Sequence, residues 1–415
     1  MIKLWRLRQA AENQFRNLRT ALSGSPVTFP SLGSMTLERD DVEIAQNWLK
    51  KDQRHWDEKD PVIEYQEEFC RWNGSKHAYA FMGGRVALSA CIHALGLEAG
   101  DEVIMPGYTC VVVPNAFQFA GIGIVYCDIE LETYGMDAGS LESAITPNTR
   151  AILIHHLYGL VCRDYEKLLE IAEREDIPVI EDCAQSTGAT FRGIKVGNRG
   201  ALSIYSSEQS KVMNTVQGGL AATNDDDLGD RLREYWENAP NPDHDIIDKL
   251  LHNVLLNFFG QKHPQRWLLK DVIQIRHGGK RLISTTIEEE HGNRPSYYGA
   301  RMPAPIACLG LNQLGKLDRF NAERRETATR WDEWCLANGY QPAKVIKDSV
   351  PIFLRYPLLV EPEKKADRSW ARRELGINPG VWFRSNIHPA ERTVINCPRA
   401  DEAVAGCINF PTLLR

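Results

Sequence analysis

The chain has 415 residues, 43% of them apolar and 25% charged, with a net charge of −6 and a pI near 6.0. These values suit a soluble globular protein long enough for two domains, and the negative balance gives no general attraction to nucleic acid. No apolar run reaches the roughly 18 residues that would cross a bilayer.

The first 24 residues place Leu4, Leu7, Ala11, Phe15, Leu18 and Leu22 on one helical face, with five Lys/Arg side chains against a single Glu12. This spacing predicts an amphipathic helix and arm over 1–36, packed on the body or on a partner subunit. A membrane-surface helix is the alternative. The N-terminal stretch MIKLWRLRQ lacks the apolar centre of a signal peptide, so a cytoplasmic location is expected. Ten cysteines are scattered singly with no C-x-x-C pair. They read as reduced, mostly buried thiols, with no zinc site expected.

From 77 to 223 strand-like and helix-like pieces alternate: HAYAF, GGRVALSACIHALG, EVIMP, IGIVYCDI, RAILIHH, EKLLEIAERED and PVIEDCA. This alternation predicts an α/β/α domain over 37–300 with a predominantly parallel sheet, whose ligands bind beyond the carboxyl ends of the strands. Residues 236–295 break the pattern as an insertion rich in Asn, His, Lys and Arg around VLLNFF. With the N-terminal helix, this basic and apolar mixture suggests cover for the core or a dimer interface, or contact with anionic lipid. Beyond 300 come one or two long helices, then mixed segments forming a smaller α+β domain over 301–415.

Three pieces carry chemistry. Gly83 and Gly84 follow the strand HAYAF and open a helix, which turns free backbone N–H groups toward an anion. Asp182 ends an apolar strand, where a carboxylate caps a helix, binds metal or meets a cation. Its neighbour Glu181 faces the opposite side by strand alternation. Lys211 lies in the polar run SSEQSKVMNTVQGG, whose plain reading is a solvated loop entering a strand. Together the three match the needs of pyridoxal phosphate: a Schiff-base lysine, a partner for a protonated ring nitrogen, and a phosphate cradle.

Five motifs in order give a family resemblance. HALGLEAGDEVIMPGYT resembles ALGIGPGDEVIVPSYT of the DegT-type nucleotide-sugar aminotransferases, a branch of the fold-type-I pyridoxal phosphate enzymes. HHLYG resembles VHLYG, VIEDCAQSTGA resembles VIEDAAQAxGA, and SSEQSKVMNTVQGG resembles SFxxxKxxxxGEGG. RMPAPIACLGLNQLGKLD resembles RMSDIQAALGLAQLEKLD. The resemblance runs from about residue 37 to near the C-terminus and implies an aminotransferase moving an amino group, from glutamate, to a keto-sugar carried on a nucleotide. Such a reaction serves amino-sugar and surface-polysaccharide synthesis. A non-nucleotide ketone such as a cyclitol, or a pyridoxal phosphate-binding scaffold, are the rival readings. The resemblance also implies a homodimer. By position, Lys211 is the Schiff-base lysine, Asp182 the pyridinium partner, and Gln185 a neighbour of the ring or its phenolic oxygen. Ser206, Gly84 and Arg85 are placed at the phosphate.

Four positions depart from the family. Gly83-Gly84-Arg85 replaces Ser/Asn-Gly-Thr, and Cys110 stands where an aromatic ring stacks on the cofactor. Val216-Gln217-Gly218-Gly219 replaces GEGG, and Gly299 replaces an asparagine lent to the neighbouring subunit's phosphate. From these departures the Arg85 guanidinium is expected to turn onto the phosphate, with a role toward substrate or a surface ion pair as the alternatives. At Cys110 a thinner stacking surface is expected, unless Tyr108 or a ring of the insertion fills the place.

Overall fold

The computed structural model describes residues 29–30, 32–262, 287–295, 298–392 and 394–414. The expected N-terminal helix and the middle of the insertion lie outside these residues. A seven-stranded sheet organises the larger part. In chain order its strands are β1 (His77–Phe81), β2 (Glu102–Pro106), β3 (Gly123–Cys127), β4 (Thr149–His155), β5 (Val179–Asp182), β6 (Leu202–Ser206) and β7 (Gly219–Thr223). In space they run β1-β7-β6-β5-β4-β2-β3.

The pairings from β6 through β5, β4 and β2 to β3 are all parallel. Strand β7 is antiparallel to both neighbours, β6 and β1. The inner strands are apolar and buried on both faces, Ile152, Leu153, Ile154 and Ile180 having no exposed surface. Helices covering both faces explain such continuous runs. One consequence reaches the site. An antiparallel return from β6 to β7 needs no crossover helix, so the connection is a loop, and Lys211 sits in it at the carboxyl end of β6.

That loop is polar because the protein, rather than water, satisfies it. Ser207 N–H donates to Gly218 O (2.9 Å), Thr215 N–H to Ser207 O (2.8 Å) and Lys211 N–H to Glu208 O (2.8 Å). From outside, Arg324 donates to Val212 O (3.0 Å) and Arg355 to Ser210 O (2.9 Å). Buried backbone groups without such partners would be costly.

Helix α1 (Arg39–Lys50) opens with a reciprocal capping box between Glu38 and Asp41. Helix α2 (Asp60–Asn73) leads into β1, and α3 (Gly84–Ala94) follows β1 directly. Helix α4 (Val112–Phe119) follows β2. The insertion begins inside α5 (Asp226–Asn238) and continues as α6 (His244–Lys262). Ile247, Leu250, Leu251 and Val254 of α6 are fully buried in the main core. The first part of the insertion therefore covers the core. Helix α7 (Ala304–Ala337) is 34 residues long. Its first half packs in the main core through Ile306, Leu309 and Leu317. Its second half joins Ala328, Trp331 and Cys335 to a separate cluster with Tyr356, Ile408 and Phe410. Among the described residues no helix is long and apolar enough to cross a membrane.

Candidate functional site

The carboxyl ends of β1, β5 and β6 converge on one place. Gly84 opens α3 against Ser206 at the end of β6: a Cβ on Gly84 would lie 3.1 Å from Ser206 Cβ and 3.4 Å from its Oγ. Gly219, paired with Ser206 across the sheet, is equally confined, since a Cβ there would collide with the Gly84 backbone nitrogen. Glycines at both positions let a helix N-terminus close on the strand end, with a hydroxyl beside it. That donor set fits a phosphate.

Lys211 and Asp182 face one another electrostatically, and Cys110 joins them. Burial lowers the Lys211 pKa, against the opposing pull of Cys110, Glu208 and Asp182, while Arg355 adds to the lowering. Burial raises the Asp182 pKa, which the Ala184 N–H (2.9 Å to Oδ1), Lys211 and His156 partly offset. A partly desolvated amine beside a partly desolvated carboxylate is the arrangement expected where chemistry needs a neutral amine.

The remaining predicted residues are placed as follows. Gln185 is buried and its Oε1 accepts from Tyr158 N–H at 3.0 Å. Tyr158 has φ 57°, and the Gln185 bond secures that left-handed turn. Cys110 lies at the amine, on a short strand paired in parallel with Ile387–His388. Tyr108 does not fill the place beside it: its ring is fully buried against Phe383 (4.4 Å) and its hydroxyl meets Tyr158 at 2.9 Å. Among the described residues, the ring shown at the amine is Trp382, whose centroid lies 4.9 Å from Lys211 Nζ and 4.2 Å from Arg355 Cζ.

Arg85 departs from both its expected role at the phosphate and a surface pairing. Its guanidinium forms a buried ion pair with Glu289, the two side chains being 10% and 1% exposed. Glu289 sits on the short helix Ile287–Glu290, anchored where Asn115 donates to the Glu289 carbonyl at 2.7 Å. The backbone N–H of Arg85 keeps its place at the start of α3. Gly299 has open space around it but a φ of 116°, so an asparagine there would strain the backbone.

His156, Glu181 and Cys183 have ligating atoms close together, but their bonding is that of a structural network. Glu181 accepts from Arg199 N–H (3.0 Å), Gly200 N–H (2.5 Å), Gly197 N–H (2.8 Å) and Tyr165 Oη (2.7 Å). His156 Nδ1 accepts from Cys162 N–H at 3.2 Å, which leaves Nε2–H to donate to Glu181 at 3.2 Å.

Trp382, Arg355 and Glu289 were not singled out in the sequence. The signal for Arg355 and Trp382 was no more than a cation and an indole in an unassigned C-terminal stretch. For Glu289 it was one acid in a run of three.

Comparison with known proteins places the chain as follows. A family model described as the DegT/DnrJ/EryC1/StrS aminotransferase family matches residues 38–414. A GDP-perosamine synthase of Caulobacter vibrioides is 40% identical over 172 residues, 41% of this chain and 46% of that protein. An L-glutamine:2-deoxy-scyllo-inosose aminotransferase of Micromonospora echinospora is 41% identical over 278 residues, 66% of this chain and 57% of that protein. The chain thus spans about half the length of these two relatives. Among solved structures, NtdA of Bacillus subtilis with bound cofactor PMP superposes with a TM-score of 0.70 at 20% identity, covering 92% of this chain and 80% of that one.

Proposed function

The chain belongs to the DegT/DnrJ/EryC1/StrS aminotransferase family, whose enzymes depend on pyridoxal phosphate, and from that premise we propose that it aminates a keto group on a nucleotide-linked sugar. The observation that carries the chemistry is the partly desolvated Lys211 amine facing Asp182 beyond the sheet's carboxyl edge. Gly84 and Arg85 offer backbone N–H groups, and Ser206 its hydroxyl, to the phosphate. The bound cofactor supplies an aldehyde to carry the amino group and a ring that takes up an electron pair. Asp182 would hold a proton on the ring nitrogen. Lys211 Nζ, its basicity lowered by burial, would move a proton between the substrate carbon and the cofactor's carbon, taking it from one and giving it to the other. Cys110, beside Lys211, would line the cofactor's face, and Gln185, in the turn after β5, its edge.

The GDP-perosamine synthase relatives support a nucleotide-sugar acceptor, and glutamate as donor is what the family resemblance implies. The cyclitol aminotransferase, at 41% identity, favours a second reading in which 2-deoxy-scyllo-inosose or a similar free ketone is the acceptor. The family's implied homodimer is part of the proposal, and sedimentation equilibrium tests it.

The test runs the reaction in both directions: GDP-perosamine with 2-oxoglutarate, and 2-deoxy-scyllo-inosose with glutamate or glutamine. Turnover of GDP-perosamine supports the sugar reading, turnover of the inosose alone supports the second, and turnover of neither removes both. Lys211→Ala should lower the rate by about 10,000-fold while still binding cofactor. Borohydride treatment of the wild type should fix the cofactor on one lysine. A label mapped to any other lysine would remove the assignment.

A further inference from the structure

Trp382 belongs to no predicted motif, yet its ring centroid lies 4.9 Å from the Lys211 amine. Its placement is firm. Asn409 Oδ1 accepts from Trp382 N–H at 3.0 Å, and Gly380 and Asn409 exchange two backbone hydrogen bonds of 2.8 and 2.9 Å. The next residue, Phe383, is buried against Tyr108. The backbone on both sides of the indole is therefore fixed.

The indole nitrogen is the informative atom. The buried indoles of Trp56, Trp236 and Trp331 donate to Trp48 O (3.2 Å), Ala80 O (3.0 Å) and Pro411 O (2.8 Å). Trp382 Nε1 is also shielded from solvent but has no hydrogen-bond partner in the described protein. A buried donor left without an acceptor is costly, and one on a ring 4.9 Å from the Lys211 amine is placed where a substrate hydroxyl could satisfy it. Cys110, which also faces Lys211, is small, so the indole is the large side chain shown beside the amine.

We propose that Trp382 contacts the amino acceptor, its ring packing on the C–H face of a hydroxylated six-membered ring and its Nε1–H donating to one of that ring's hydroxyls. The chemistry is shared by a hexose and a cyclitol. An indole offers both an apolar face and a polar edge, which suits a ring whose faces are C–H and whose rim is hydroxyl. The inference rests on the proposed function and names the residue that selects its acceptor.

Two variants test it in the holoenzyme. Trp382→Phe keeps a ring and removes the donor; Trp382→Leu removes both. With GDP-perosamine and 2-deoxy-scyllo-inosose as probes, Trp382→Phe should raise KM for the accepted one about three- to ten-fold, the size of one neutral hydrogen bond. Trp382→Leu should raise it further. The KM for the co-substrate, 2-oxoglutarate with GDP-perosamine or glutamate or glutamine with the inosose, should stay unchanged in both. Binding of the same probe to the holoenzyme, followed by calorimetry, should weaken in parallel. Unchanged acceptor KM in both variants overturns the proposal. So does an equal loss toward donor and acceptor with a lowered Tm, the signature of a wall that only supports the fold. If the wild type neither binds nor turns over either probe, the reading of the function falls first and takes this inference with it. Wild-type binding that both variants retain leaves the function standing and removes Trp382 alone.

Discussion

Glu181 and Asp182 are consecutive residues at the end of β5, and strand alternation sends them to opposite faces of the sheet. On one face Glu181 meets four donors from Tyr165 and the 197–200 turn, plus the His156 imidazole. Burial alone would raise its pKa, yet His156 and these donors hold it below the ordinary value. On the other face Asp182 receives one backbone N–H, from Ala184, and burial pushes its pKa up. The contrast separates two uses of a buried carboxylate. One is saturated and ties a turn to the sheet; the other is left short of donors, and under the proposed function a cationic cofactor ring would complete it. Glu289 is a third solution, a buried carboxylate matched by the Arg85 guanidinium.

The largest effect on stability is expected where a charge is stranded. Arg85→Thr removes the guanidinium beside a side chain that is only 1% exposed. Breaking a buried pair from one side costs about 3–5 kcal/mol. Urea unfolding should show that loss, and Arg85→Thr with Glu289→Gln should recover much of it, since the double variant buries no charge there. A single variant with wild-type stability but weakened cofactor binding would return Arg85 to the phosphate and break its grouping with Glu181.

One side of the candidate site is legible in the sequence, partly from residues at strand ends and partly, as for Ser206, through the family resemblance. Asp182 follows an apolar run, Ser206 closes β6, Gly84 opens α3, and Lys211 occupies the loop that an antiparallel return requires. Each is a local signal. Arg85 carried the same local signal for its backbone, while its side chain is decided by a residue 204 positions away. Trp382 and Arg355 likewise reach Lys211 through the packing of the C-terminal part, which no short-range periodicity reports. The insertion was read as an interruption, although Ile247, Leu250, Leu251 and Val254 have the spacing of one helical face. Its Asn and His residues masked that pattern.

Asp182→Asn tests the unsaturated face. Asparagine preserves the shape and an acceptor for Ala184 N–H but removes the charge that would hold a proton on the cofactor's ring nitrogen. The expected loss in kcat is about 100- to 1,000-fold, the size of one preorganised charge contact. Unfolding free energy should hardly change, because a buried carboxylate with a raised pKa adds little to the fold. A large drop in stability with kcat preserved would make Asp182 a second Glu181 and erase the contrast.

Glu181→Gln tests the saturated face and should do the reverse. One carboxylate oxygen becomes an NH2 group facing N–H donors, and each buried donor left without an acceptor costs about 1–3 kcal/mol. The loss should appear as a lower Tm and a more labile 197–200 turn, with kcat changed far less than in Asp182→Asn. The pH dependence gives the sign independently. A carboxylate held below its ordinary value of 4.5 stabilises the fold fully above that value. Its contribution fades as pH falls through the folded pKa, because the unfolded chain binds the proton first. Wild-type stability should therefore decline below pH 4.5 more steeply than that of Glu181→Gln. His155, pushed down to about 4 by burial, also costs stability on acidification, beginning near its ordinary 6.5. It is common to both proteins and cancels in their difference. Parallel acid limbs for the two proteins would show that Glu181 carries no net charge-dependent stabilisation, and that its donors merely compensate for its burial.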